Sequence, residues 1–273
     1  MSDTLRILFI ADVVGDPGLE VLGLFLPSLK EKHRPDFLIV NGENAHEGRG
    51  MNDRILKEFF RMDVDVVTGG NHSFDKHLIF PTMREEKRLL RPFNYPKGNP
   101  GFGFGVYDVK DRDEKVGVIN LAGRTFMNAL NCPFDAAEYI LRQIEDQTRI
   151  LFVDMHAEAT AEKMALAWVL DGRVSGVVGT HTHIPTSDAR ILPGGTGYLT
   201  DAGMTGSFHS VLGMDIETAV RRFTLGSPQR YRLASGDLRI CGAVLDIETR
   251  TGQCVRIESI AYPSFPTTLH NPR

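Results

Sequence analysis

Six short runs rich in Val, Ile and Leu punctuate the chain, and most are followed by a stretch with helical spacing of its apolar residues. RILFIA (6–11) leads into a helix predicted through VLGLFLPSLKEKH. DFLIVN (36–41) leads into DRILKEFFRM, and VDVVTGG (64–70) follows. KVGVINLAG (115–123) and RILFVDMH (149–156) flank a helical AAEYILRQIED. AEKMALAWVL then separates RILFVDMH from SGVVGTH (175–181). Strands that alternate with helices return through crossover connections, so the pattern predicts an α/β fold with a largely parallel inner sheet.

The C-terminal third changes character. ARILPGGTGYLTD reads as a hairpin with Pro193, Gly194 and Gly195 at its turn. After a helix near IETAVRRFTL, ICGAVLDIET and CVRIESIAY form a second hairpin-like pair around residues 250–252. These strands predict an antiparallel addition to the same domain, in the form of a second sheet. RPFNYPKGNPGFGFG (91–105) reads as a Pro/Gly-rich loop entering a strand near Val106. GFGFG lacks the lysine of a P-loop and the helix after it, so it is expected to be a strand entry, not a nucleotide cradle. A single domain over residues 1–273 is expected, irregular from about residue 263.

Composition narrows the function classes. The 273 residues carry a formal net charge of −4, which excludes the global basic footprint of a non-specific nucleic-acid binder. Three widely spaced cysteines, Cys132, Cys241 and Cys254, form no disulfide framework and fit a reducing cytoplasm. The N-terminal apolar run meets Asp12 and Gly15 too early for a signal peptide. No run approaches the roughly 18 apolar residues that a membrane span requires. A cytoplasmic protein without a membrane segment is expected.

Functional groups in open α/β sheets collect beyond the carboxyl ends of the strands. Here successive strand ends deliver Asp12, then Glu43 and Asn44, then Asn71 and His72, then His156, then His181 and His183. Each has an ordinary structural reading alone: Asp12 as a helix cap, Glu43 and Asn44 as turn residues, His156 as a satisfied core histidine. Their recurrence at five strand ends points instead to one site. His181 and His183 lie two apart in an extended chain, so both imidazoles can face the same side. Oxygen and imidazole donors without thiolate suit Mn, Fe or Zn, and seven such donors exceed one tetrahedral zinc. Two divalent ions against two carboxylates leave roughly +2 of charge, suited to a phosphate and to both oxygens of an in-line displacement.

The order strand-Asp, Gly-Glu-Asn, Gly-Asn-His, strand-end His and Gly-x-His-x-His resembles the calcineurin-like metallophosphoesterase superfamily. FIADVVGDPG, NGENAHEGRG, TGGNHSFDK, DMHAEATAEK and GTHTHIPTSDARILPGGTGYLTDAGMTG, with the NYPKG loop, resemble its YmdB-type branch, bacterial phosphodiesterases for 2′,3′-cyclic nucleotides. The resemblance spans residues 5 to about 262. The superfamily's usual Asp-x-His is absent, since Val13 and Val14 follow Asp12, and Gly42-Glu43-Asn44 replaces its Gly-Asp-x-x-Asp.

The resemblance implies a four-layer α/β/β/α sandwich, homo-oligomers, and two iron or manganese ions, with zinc as a further metal. It also implies that Glu43 bridges the ions. Asp12, Asn44 and His183 would complete one site, and Asn71, His156 and His181 the other. His72 would face the substrate. The expected chemistry is attack on phosphorus by a hydroxide shared between the ions, with His72 protonating the departing ribose oxygen. Asp75 is read as a cap for a helix near Lys76 or as an orienter of His72, and Asp154 as a partner of a ligand histidine. Arg124 is read as a surface ion pair or a phosphate contact. DAGMTG (201–206) is placed at the active-site mouth or an oligomer contact. Two other functions remain open: a phosphomonoesterase, and a regulatory protein that binds RNA ends or a ribonuclease with incidental turnover.

Overall fold

The computed structural model describes residues 3–265. The chain opens with β1 (Thr4–Ile10), α1 (Gly15–His33), β2 (Phe37–Asn41), α2 (Asp53–Arg61) and β3 (Val66–Thr68). Then come α3 (Phe80–Glu85), β4 (Phe104–Asp108), β5 (Lys115–Ala122), α4 (Pro133–Ile144) and β6 (Ile150–His156). After α5 (Thr160–Leu170) and β7 (Gly176–Thr180) follow the short β8 (Arg190–Ile191), β9 (Gly197–Leu199) and β10 (Gly206–Ser207). The last elements are α6 (Ile216–Leu225), β11 (Leu238–Glu248) and β12 (Cys254–Tyr262).

The strands form two sheets, as the resemblance implies. The first runs β10-β11-β1-β2-β3 with β12 on β11, and the second runs β4-β5-β6-β7-β9-β8. In each, the crossover strands pair in parallel: β1 with β2 and β2 with β3, then β5 with β6 and β6 with β7. The parallel strands, which the apolar runs alone read as one inner sheet, are shared between the two. Both expected hairpins form, but neither makes a sheet of its own. β8 and β9 extend the second sheet, and β11 with β12 attaches antiparallel to β1 in the first.

Residue parity explains the layers. Alternate side chains of a strand point to opposite faces. Leu5, Ile7 and Phe9 of β1 and Phe37 and Ile39 of β2 meet Val116 and Val118 of β5 and Ile150 and Phe152 of β6 in one core between the sheets. The alternate residues Leu8, Ile10, Leu38 and Val40 pack outward against α1 and α2. Ile119, Leu121, Leu151 and Val153 pack against α4 and α5. Buried on both faces, such strands read as continuous apolar runs. The product is the α/β/β/α sandwich implied by the resemblance. Among the described residues no helix is long and apolar enough to cross a membrane. GFGFG is the entry to β4, as expected, with Phe102 bridged to Leu90. Residues 263–265 are irregular, and the rest of the expected tail lies outside the described residues.

Phe9 and Phe152 join the sheets directly, their ring centroids 5.1 Å apart and both side chains fully buried. Phe152→Ala is expected to lower the unfolding free energy by about 3–5 kcal/mol in urea denaturation. A loss below about 1 kcal/mol would mean that the sheets close without this contact.

Candidate metal centre

Parallel strands in both sheets end at the same edge of the sandwich, and the expected site residues meet there. Asp12 lies two residues beyond β1, Glu43 and Asn44 follow β2, and Asn71 and His72 follow β3. His156 is the last residue of β6, and His181 and His183 leave β7. Asp12 is not a helix cap: α1 begins from Val14, with no side-chain cap. Ligand atoms of Glu43, His156 and His181 lie within 4.8 Å of one another, as do those of Asp12, Glu43 and His183. Glu43 belongs to both groups.

Its carboxylate is 1% exposed. Oε1 accepts from Asn44 Nδ2 at 2.7 Å and lies 3.3 Å from His72 Nδ1; Oε2 lies 3.2 Å from His156 Nε2 and accepts from the His72 amide at 3.1 Å. Burial opposes ionisation of this carboxyl, but the charge and hydrogen bonds of His156 and His72 outweigh it and hold the pKa well below the usual range. Burial likewise opposes protonation of His156, yet the Glu43 carboxylate pushes its pKa up to about 9. Burial holds His183 down, and Asp12 at 3.3 Å more than compensates, so its pKa is raised. His181 is different: burial, and then the charge of His156, take it down to about 3. Two carboxylates among buried imidazoles thus demand positive charge.

The hydrogen-bond pattern makes the same demand at atomic detail. The Thr180 hydroxyl lies 2.7 Å from Asp154 Oδ1 and 3.0 Å from His156 Nδ1. An ionised carboxylate only accepts, so Thr180 donates to Asp154 and receives the Nδ1 proton of His156. The lone pair of His156 Nε2 then faces Asn71 Oδ1 at 2.9 Å, Glu43 Oε2 at 3.2 Å and His181 Nδ1 at 3.1 Å. All are acceptors towards it, and a cation or an extra proton resolves the convergence. On the other side of Glu43, Asp12 Oδ1 is buried with no hydrogen-bond partner. His183 Nδ1 donates to the Leu212 carbonyl at 3.1 Å, which leaves its Nε2 lone pair beside Asp12 and Asn44. The residues fit a pair of cations.

The surrounding fold holds this arrangement under strain. His181 (φ 98°) and His183 (φ 66°) both adopt left-handed backbone conformations, which cost non-glycine residues energy and cluster at functional sites. Between them, Thr182 donates through its amide (3.1 Å) and its hydroxyl (2.7 Å) to Asp201 Oδ2. Asp201 in turn pairs with fully buried Lys163 at 2.6 Å. A β-carbon on Gly70 would collide with Glu43 Oε2 and His156 Nε2, so only glycine lets β3's loop pass so close.

Several expectations change here. Asp75 neither caps a helix nor touches His72 through its side chain; it pairs with Arg49 at 3.0 Å. DAGMTG is buried scaffold rather than a mouth or surface contact: Asp201 anchors the His181–His183 loop and Thr205 bridges to Val13. Arg124 is exposed, and its side chain makes neither an ion pair nor a hydrogen bond among the described residues. Asp154 does serve a site histidine, through Thr180, and also accepts from Asn41 (2.8 Å) and Thr68 (2.5 Å). Burial raises its carboxyl to about 6. Thr180, Thr182 and Lys163 escaped sequence reading. The polar runs in GTHTH and AEKMALAW were their only signal.

Known proteins agree with this architecture. A family model described as YmdB-like protein matches residues 8–260. The chain is 46% identical over 256 residues to the 2′,3′-cyclic-nucleotide 2′-phosphodiesterase of Bacillus subtilis (strain 168), covering 94% of this chain and 96% of that one. A crystal structure of a hypothetical protein from Thermus thermophilus superposes with a TM-score of 0.88 at 43% identity, over 94% of this chain and 99% of the other. A Mycoplasma pneumoniae protein described as a novel phosphatase superposes with a TM-score of 0.89 at 30% identity, over 96% and 94%. The chain belongs to the YmdB-like family.

Proposed function

We propose that this chain is a two-metal phosphodiesterase that opens 2′,3′-cyclic nucleotides. The convergence of unsatisfied acceptors around buried Glu43 carries the proposal, supported by the activity named for the Bacillus subtilis relative. Asp12, Glu43, Asn44 and His183 would hold one ion, and Glu43, Asn71, His156 and His181 the other. Oxygen and imidazole donors favour iron or manganese, with zinc also accommodated. Such ions, when bound, neutralise phosphate charge and make water acidic enough to attack phosphorus at neutral pH.

The chain's own residues supply the rest. His72 follows the ligand Asn71, and its side chain is 22% exposed. Nδ1 lies 2.7 Å from Asn44 Oδ1, because the Asn44 amide nitrogen is already committed to Glu43. His72 therefore donates from Nδ1 and keeps Nε2 as the atom that can hold a proton for the substrate. As water bonds to phosphorus and gives up one proton to solvent, the phosphorus–ribose oxygen bond breaks and the Nε2 proton of His72 passes to the departing oxygen. The Glu43 carboxylate, 3.3 Å from Nδ1, helps to fix the orientation of the ring. Ions held there would neutralise charge on the phosphate, and the role left to the His72 ring is to deliver its proton.

Side-by-side assays of 2′,3′-cyclic AMP and of 2′- and 3′-AMP test the activity. Opening of the cyclic ester is expected to dominate, whereas hydrolysis of the monoesters alone would make the protein a phosphatase. His72→Ala is expected to keep its metal and lose about 10²–10⁴-fold in kcat. Loss of metal from that variant would instead make His72 a ligand. Thr180→Val removes the hydroxyl that orients His156, and metal affinity is expected to fall about 10–100-fold in a metal titration. Unchanged affinity would mean that Thr180 does not hold the ring.

A further inference from the structure

Phe126 occupies a position that packing does not explain. Its side chain is 89% exposed, and its backbone is left-handed at φ 61°, among the described non-glycine residues with positive φ. Arg124 to Met127 form a turn closed by the Met127 amide on the Arg124 carbonyl at 3.3 Å, with Phe126 at its third position. A left-handed third residue is normally glycine. The turn is nevertheless fixed. Buried Glu162 accepts from the amides of Arg124 (3.2 Å) and Thr125 (3.1 Å), and Gly123 packs so tightly on Ala157 that a β-carbon would collide.

The turn stands beside the metal centre. Gly123 donates its amide to the carbonyl of His156 at 2.9 Å. Phe126, three residues on, has its Cα within about 11 Å of Gly123. Met127 Sδ accepts from the Glu158 amide at 3.3 Å, and the Glu158 carboxylate touches His181 Nε2 at 3.1 Å. Along the chain the ring is flanked by exposed Arg124, Thr125 and Asn128. An exposed aromatic ring two residues from an unengaged guanidinium suits a flat, anionic ligand better than an apolar partner surface.

We propose that this turn is the nucleoside platform of the site, with the Phe126 ring stacking on the base of the substrate. The proposal rests on the phosphodiesterase reading above and adds the group that recognises the nucleoside. Stacking on a base tolerates any base, because each has a π-face.

Calorimetric titration of the metal-loaded full chain with 3′-AMP and with inorganic phosphate tests it, in wild type, Phe126→Gly and Phe126→Tyr. Glycine adopts this backbone conformation without strain, so Phe126→Gly is expected to fold with an unreduced thermal midpoint. Its affinity for 3′-AMP is expected to fall about tenfold, with phosphate affinity unchanged and Phe126→Tyr restoring the nucleotide. KM for 2′,3′-cyclic AMP should rise in parallel while kcat holds. Equal affinity of Phe126→Gly for 3′-AMP overturns the platform, as does a wild type that binds 3′-AMP no more tightly than phosphate. A lowered oligomeric state with nucleotide affinity intact would assign the ring to a contact between copies, and the proposal falls. Phe126-dependent binding without turnover of the cyclic ester would retain the platform and remove only the activity proposed above.

Discussion

One buried carboxylate organises this structure. Glu43 sits where two sheets meet, ringed by His72, His156, Asn44 and the backbone of the β3 loop. Burying a charge is costly unless it is paired, and with Asp12 nearby the seam holds two carboxylates that are nearly fully enclosed. The carboxylates favour positive charge on the imidazoles beside them, which raises the pKa of His156 and of His183. The unsatisfied Asp12 oxygen and the acceptors that converge on His156 Nε2 make the same demand for positive charge. Divalent cations satisfy both, and the same surplus of positive charge would then meet a phosphate.

Such a site opposes the fold that builds it, and the surrounding network holds it in place. Two histidines in left-handed backbone conformations and several acceptors pressed together cost folding energy. Lys163 and Asp201, both buried, clamp Thr182 between those histidines. Asp154 gathers Asn41, Thr68 and Thr180, and so ties β2, β3, β6 and β7 into one network under the site. Breaking either buried network from one side would leave an uncompensated charge. Rigid support of this kind keeps ligand groups in place before any ion arrives.

The site was legible in sequence because its parts are local. Each proposed ligand lies within a few residues of a strand end, and strand ends are marked by a switch from apolar runs to Gly, Asn, Asp and His. The division into two sheets was implied by the resemblance and was not legible in the apolar runs themselves. RILFIA and RILFVDMH are buried on both faces, so neither run reveals which sheet it joins. Lys163 reads as a polar position on a surface helix, and only the tertiary approach of Asp201 explains why it is fully buried. DAGMTG stood out as a motif, but its role depends on a partner loop about twenty residues earlier in the chain. Phe126 had no signal, since a left-handed turn position is normally announced by glycine.

Elemental analysis of the purified wild-type protein tests the central claim most directly, before and after reconstitution with Mn²⁺ or Fe²⁺. The proposed paired sites that share Glu43 predict about two transition-metal ions per chain, as in paired-metal hydrolases. A protein that stays metal-free after reconstitution would contradict the account, because the acceptors around Glu43 would then be balanced by protons alone.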